Sequence, residues 1–65
     1  MKITLNGTTR ESGADTLAGL LDEMGYGDVK LATAVNEEFV PAANRAAHRL
    51  SDGDRIEIVT PRQGG

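Results

Sequence analysis

An α+β fold, with one mixed sheet of four to five strands packed on one main helix, is predicted for this 65-residue chain by three patterns. Period-two alternation marks both ends, a single amphipathic helical stripe lies between them, and no strand–helix–strand alternation calls for a parallel doubly wound sheet. The length allows one domain with a small core. The predicted division is a folded body over 1–60 and a flexible tail over 61–65 that ends in Gly64-Gly65.

Each element follows from its own local signal. In "KITLN", Ile3 and Leu5 share one face while Lys2, Thr4 and Asn6 share the other, as in a half-buried strand. Asn6-Gly7 comes next, a pair suited to the type I′ hairpin turn because that turn needs positive φ at both central positions. The return strand "TTRES" is polar and belongs where little burial is required. In "GADTLAGLLDEMGYG", Leu17, Leu20, Leu21 and Met24 recur at i, i+3, i+4 and i+7, the stripe of a surface helix. Asp15 or Thr16 can cap its start, and Gly25 can end it in a left-handed conformation.

After a loop through Gly27 and Asp28, "LATAVN" reads as a strand, and "NEE" turns the chain into "FV" before Pro41 stops the pairing. Either face of "LATAVN" could be buried; Val35 is placed inward. "ANRAAH" predicts a short surface helix or 3₁₀ segment ending near Leu50. "SDGD" is a hairpin turn, and "RIEIVT" is the clearest strand, with Ile56 and Ile58 on one face and Arg55, Glu57 and Val59 on the other. As the most apolar strand it is expected at the centre of the sheet, beside the first. One helix wrapped by such a sheet is the β-grasp, or ubiquitin-like, architecture.

Composition narrows the chemistry. There is no cysteine, which excludes disulfides, thiolate nucleophiles and cysteine metal sites, so any sulfur chemistry must occur on something other than a side-chain thiol. Ten acidic against seven basic residues disfavour a nucleic-acid partner. The apolar runs are too short to span a bilayer, and "MKITLNG" enters a strand pattern with no signal-peptide core, so a cytoplasmic protein with no membrane partner is expected. His48 reads as a solvated surface residue, and "DGD" lacks the further acidic positions of a calcium loop. Asp22-Glu23 and Glu37-Glu38 read as solvated charges, and "GYG" as helix termination rather than a phosphate loop. No catalytic side chain, metal site or bound cofactor is expected.

The ending "TPRQGG" is what remains. A glycine carboxylate is ionised at neutral pH and can attack the α-phosphate of ATP, giving an acyl-adenylate open to a sulfur nucleophile. Glycines without Cβ suit passage into a narrow enzyme channel, and Thr60 to Gly65 can extend about 17 Å. Pro61 stiffens the exit from the strand. The competing reading is an inert, disordered terminus.

"ITLNG", the "TLAGLL" helix, "AVNEEFVP" and "LSDGDRIEIVTPRQGG" together resemble the ThiS family, the sulfur carriers of thiamine biosynthesis, over essentially the whole chain. "VNEEFVP" and "EIVTPRQGG" favour the thiamine branch, while the "DGD" turn and terminal Gly-Gly are shared with other β-grasp sulfur carriers. The resemblance implies a carrier rather than an enzyme. Gly65 would be adenylated with ATP by an E1-like adenylyltransferase (ThiF) and converted to a thiocarboxylate with sulfur from a donor such as a cysteine desulfurase. It would then give sulfur to thiazole synthase (ThiG). Gly64 would give the tail access, and Arg62 and Gln63 would lie at the partner's entrance. Arg55, Glu57 and Val59 are candidates for docking, against the alternative of a merely solvated face. The free carrier is expected to be a monomer. Competing roles are sulfur carriage for molybdopterin or tRNA thiolation, a ubiquitin-like modifier, and a passive interaction module.

Overall fold

The computed structural model describes residues 1–27 and 29–61. Asp28 and the predicted site residues Arg62, Gln63, Gly64 and Gly65 lie outside the described residues, as does most of the predicted tail. The strands are β1 (Lys2–Leu5), β2 (Thr8–Glu11), β3 (Ala32–Val35), β4 (Glu38–Val40) and β5 (Arg55–Val59), with helix α1 (Leu17–Glu23) and a 3₁₀ segment (Ala42–Ala47). They form one mixed five-stranded sheet in the order β2-β1-β5-β3-β4. β5 runs parallel to β1 and antiparallel to β3, so the last strand is central and beside the first, as expected.

Turn chemistry fixes both hairpins. Leu5 pairs with Thr8, and the intervening Asn6 and Gly7 have φ of 49° and 86°, the signs that a type I′ turn demands. Val35 pairs with Glu38 across Asn36 and Glu37, whose φ values of 51° and 72° repeat the same geometry without a glycine. Helix α1 starts at Thr16, whose hydroxyl accepts from the Gly19 N–H at 3.1 Å; this selects Thr16 over Asp15 as the cap. At the other end Gly25 takes φ 82°, the Tyr26 N–H reaches the Leu21 carbonyl at 2.8 Å and the Gly25 N–H the Asp22 carbonyl at 3.0 Å. This paired arrangement is a Schellman motif, which satisfies carbonyls that the helix end leaves open.

The core gathers Leu17, Leu20 and Leu21 of α1 against Ile3, Val35, Val40, Ile56 and Ile58 of the sheet, with Leu50 beside them. Met24, last of the helical stripe, packs partly buried at its margin. Val35 is inward, as placed, and Thr33 is buried with it. A hydroxyl is tolerated there because Thr33 donates to the Val40 carbonyl at 2.8 Å and accepts from Arg45 Nε at 3.0 Å. Arg45 also donates to the Leu31 carbonyl at 2.7 Å, tying the 3₁₀ segment to the start of β3.

Three local expectations are corrected. The 3₁₀ segment stops at Ala47 rather than near Leu50, because His48 turns extended and the chain pairs with the approach to α1. There the Leu17 N–H donates to the His48 carbonyl and the Leu50 N–H to the Asp15 carbonyl, both at 2.9 Å. For the same reason "SDGD" is a turn but not a hairpin turn: the residues before it pair near Thr16, while β5 pairs with β1 and β3. Finally, Ser12 at the end of the polar return strand is buried. Its hydroxyl donates to Glu23 Oε1 at 2.9 Å and accepts from the Ala14 N–H at 3.1 Å, holding the β2–α1 connection against the helix.

Candidate functional site

The region that matters is the end of β5 and the sheet face turned away from α1. β5 alternates strictly, with Ile56 and Ile58 buried and Arg55, Glu57 and Val59 exposed. Register carries that exposed row across the sheet: Glu57 pairs with Ala34, Ala34 with Phe39, and Val59 with Ala32. The result is an apolar strip of Phe39, Ala34, Ala32 and Val59 bordered by charge, with Phe39 66% and Val59 64% exposed. Arg55 forms an ion pair with Glu37 at 3.5 Å on the same side. Lys30, Leu31, Ala32, Val59 and Pro61 line a shallow groove of about 220 Å³ where the chain leaves the sheet.

Arg55, Glu57 and Val59 are thus brought together on one face. Phe39 is the neighbour that sequence reading missed. Its signal was available: once Val40 is assigned inward, period two turns the chain's single phenylalanine outward.

The departure of β5 is set on both of its edges. Because the Asn36 N–H donates to the Arg55 carbonyl at 2.7 Å, the hydrogen-bonded pairs with β3 recur every second residue, through Ala34↔Glu57 to Ala32↔Val59. At the next position Pro61 brings no amide hydrogen, so it cannot make the donor half of a further pair. On the β1 edge the Asn6 side chain reaches Ile58: Oδ1 accepts from the Ile58 N–H at 2.9 Å and Nδ2 donates to its carbonyl at 3.2 Å.

The carboxylates of the acidic turn have structural partners. Asp52 Oδ1 accepts from the Lys2 N–H at 2.7 Å, while Asp54 accepts from the Ser51 N–H at 2.8 Å and from Asn36 Nδ2 at 3.0 Å. The acidic turn therefore spends its carboxylates on organising the start of β5. Glu23 lies 3.8 Å from Arg10. His48 is half-buried rather than fully solvated, beside a shallow groove with Phe39, Pro41 and Asn44. Among the described residues no group of three or more His, Cys, Asp or Glu side chains comes together as a metal site. No helix among them is long and apolar enough to cross a membrane.

Comparison with known proteins places this geometry in context. The model of the ThiS family matches residues 3–65. The sulfur carrier protein ThiS of Thermus thermophilus is 36% identical over 63 residues, covering 97% of this chain and 98% of that protein. A thiazole synthase of Paramagnetospirillum magneticum is 39% identical over 66 residues, which cover all of this chain but 20% of the synthase. The chain therefore spans about a fifth of the synthase and nearly the whole of the carrier. The crystal structure of the thiamine biosynthesis protein ThiS from Geobacter metallireducens superposes with a TM-score of 0.82 at 25% identity, with both chains fully covered. The five-stranded sheet on one helix is thus the β-grasp arrangement expected from the sequence.

Proposed function

The chain belongs to the ThiS family, and from that premise we propose that it carries sulfur in thiamine biosynthesis with Gly65 as the point of attachment. The observation that carries this reading is the extent of the family match, which runs through the Gly64-Gly65 ending. The central position of β5 supports it, because the strand leading to that ending is anchored in the middle of the sheet.

In the proposed cycle the Gly65 carboxylate oxygen attacks the α-phosphorus of ATP in an E1-like adenylyltransferase of the ThiF kind, and pyrophosphate leaves. Sulfur, drawn from a donor such as a cysteine desulfurase, then attacks the acyl carbon and displaces AMP. With hydrosulfide as the nucleophile, one proton is released and a thiocarboxylate remains. Thiazole synthase takes the sulfur and returns the carboxylate. The carrier supplies no catalytic side chain; it is a co-substrate of its partners. Gly64 lets the last residues enter a confined site, since a Cβ there would meet the channel wall. Arg62 and Gln63 meet the partner at its entrance.

Docking is assigned to Val59, Glu57 and Arg55, extended by Phe39. An exposed apolar strip with a charged border suits a protein surface: the centre supplies buried area and the border supplies register.

The test is direct. Incubation with ATP, a thiamine-pathway adenylyltransferase and sulfide should raise the intact mass by the exchange of one oxygen for sulfur. A variant lacking Gly65 should show no gain. An unchanged wild-type mass with an enzyme proven active on another carrier would refute the assignment.

A further inference from the structure

Asn6 has a role that turn formation does not require. In the parallel ladder the Thr4 N–H donates to the Asp54 carbonyl at 3.0 Å and the Asn6 N–H to the Ile56 carbonyl at 2.9 Å. A continuing strand would next reach Ile58, but at Asn6 and Gly7 the backbone turns back into β2. The Asn6 carboxamide replaces the missing strand, accepting from the Ile58 N–H and donating to the Ile58 carbonyl. β5 is thereby held for two residues beyond the point at which β1 leaves it.

The requirements are restrictive. Position 6 has φ 49°, which Gly, Asn and Asp accept most readily. Ile58 presents one donor and one acceptor, which a carboxamide satisfies together; a carboxylate lacks the donor and glycine lacks both. Asn36, at the equivalent place in the second hairpin, also clasps β5, but at its other end: Oδ1 accepts from the Arg55 N–H at 3.0 Å and Nδ2 donates to Asp54. Both asparagines accept from a β5 amide, yet only Asn6 bonds both backbone groups of one β5 residue and acts where the chain departs.

We propose that Asn6 is a positioning residue for sulfur loading: its hold on Ile58 fixes the point and direction from which the chain past Pro61 is handed to the activating enzyme. This rests on the carrier reading above. Without the clasp, the β1 edge of β5 is held only to Ile56, and the Ile58 backbone gains freedom that the enzyme must remove on binding. A competent arrangement populated less often weakens apparent binding in proportion, while the reaction after binding is unaltered.

Asn6→Gly removes the clasp and keeps a turn that glycine adopts freely; Asn36→Gly does the same at the far end of β5. Loading kinetics are measured for both, at a temperature where each is folded by circular dichroism, together with amide exchange at Ile58. The expected result is a KM for the carrier raised about fivefold in Asn6→Gly with kcat unchanged, and faster exchange at the Ile58 amide. Asn36→Gly should keep the wild-type KM although its melting temperature falls by a similar amount. Equal KM values in the two variants, whether raised or unchanged, would overturn the proposal by reducing Asn6 to a fold-stabilising residue. Should Asn6→Gly not fold, Asn6→Asp, which keeps the acceptor half, must raise KM or the role is refuted. A wild-type carrier that is never loaded refutes the carrier reading itself, and is distinguished from these outcomes by its unchanged mass.

Discussion

Thr16 and Asp15 are adjacent and both are good N-cap residues, but only Thr16 reaches a helix amide, that of Gly19. Thr16→Ala should cost about 1 kcal/mol in chemical denaturation, and Asp15→Ala much less. Glu37 makes the opposite case. It holds φ 72° in a turn where glycine would be at ease, and its ion pair with Arg55 joins side chains that are 74% and 57% exposed. Such a pair contributes little, so Glu37→Gly should raise stability by about 0.5–1 kcal/mol, read as a higher denaturation midpoint. At this scale the sequence is legible where geometry admits few residue types, as at Asn6-Gly7 and Gly25. It is not legible where a side chain bonds to something far along the chain. The Asn6 clasp on Ile58 spans 52 positions, and no local pattern announces it.

Among the elements, β5 pairs on both edges and turns Ile56 and Ile58 into the core that α1 covers. Ile56 has no exposed surface. Ile56→Ala should cost about 2–5 kcal/mol, comparable to the whole stability of about 3–5 kcal/mol that so small a core supplies. That variant should show the circular dichroism of a largely unfolded chain at 25 °C. Elements with strong periodicity, β1, α1 and β5, were readable because one face of each is plainly apolar. β3 was ambiguous because "ATAV" offers small or branched residues to both faces. The choice of face depends on Thr33 finding Val40 and Arg45 across the fold. The early end of the 3₁₀ segment has the same origin, since His48 to Leu50 exchange helical bonds for pairing with Asp15 to Leu17.

For the molecule as a whole, order of elements and the apolar last strand were enough to indicate a β-grasp sheet with β5 central. The exposed strip proposed for docking was only half visible, because joining Phe39 to Val59 requires register across three strands, β4, β3 and β5. Val59→Asp introduces a charge into that strip without touching the core. Its expected effect is a drop of about tenfold in kcat/KM for loading, with a melting temperature within a few degrees of wild type, as for a residue at an interface centre. Equal loading of both proteins would return this face to solvent.

The sheet order has a consequence for how the protein is made. The two hairpins, β1-β2 and β3-β4, meet only through β5, and Ile56 and Ile58 supply the centre of the core they share with α1. A nascent chain that has reached Leu50 holds both hairpins and the helix but lacks the strand that pairs with each hairpin, so closure of the sheet must wait for the strand synthesised last among the described elements. That same strand bears Arg55, Glu57 and Val59 and precedes the proposed point of sulfur attachment. Completion of the sheet and assembly of the proposed docking face thus occur in one event, and an unfinished or unfolded chain offers no assembled surface for a partner to select.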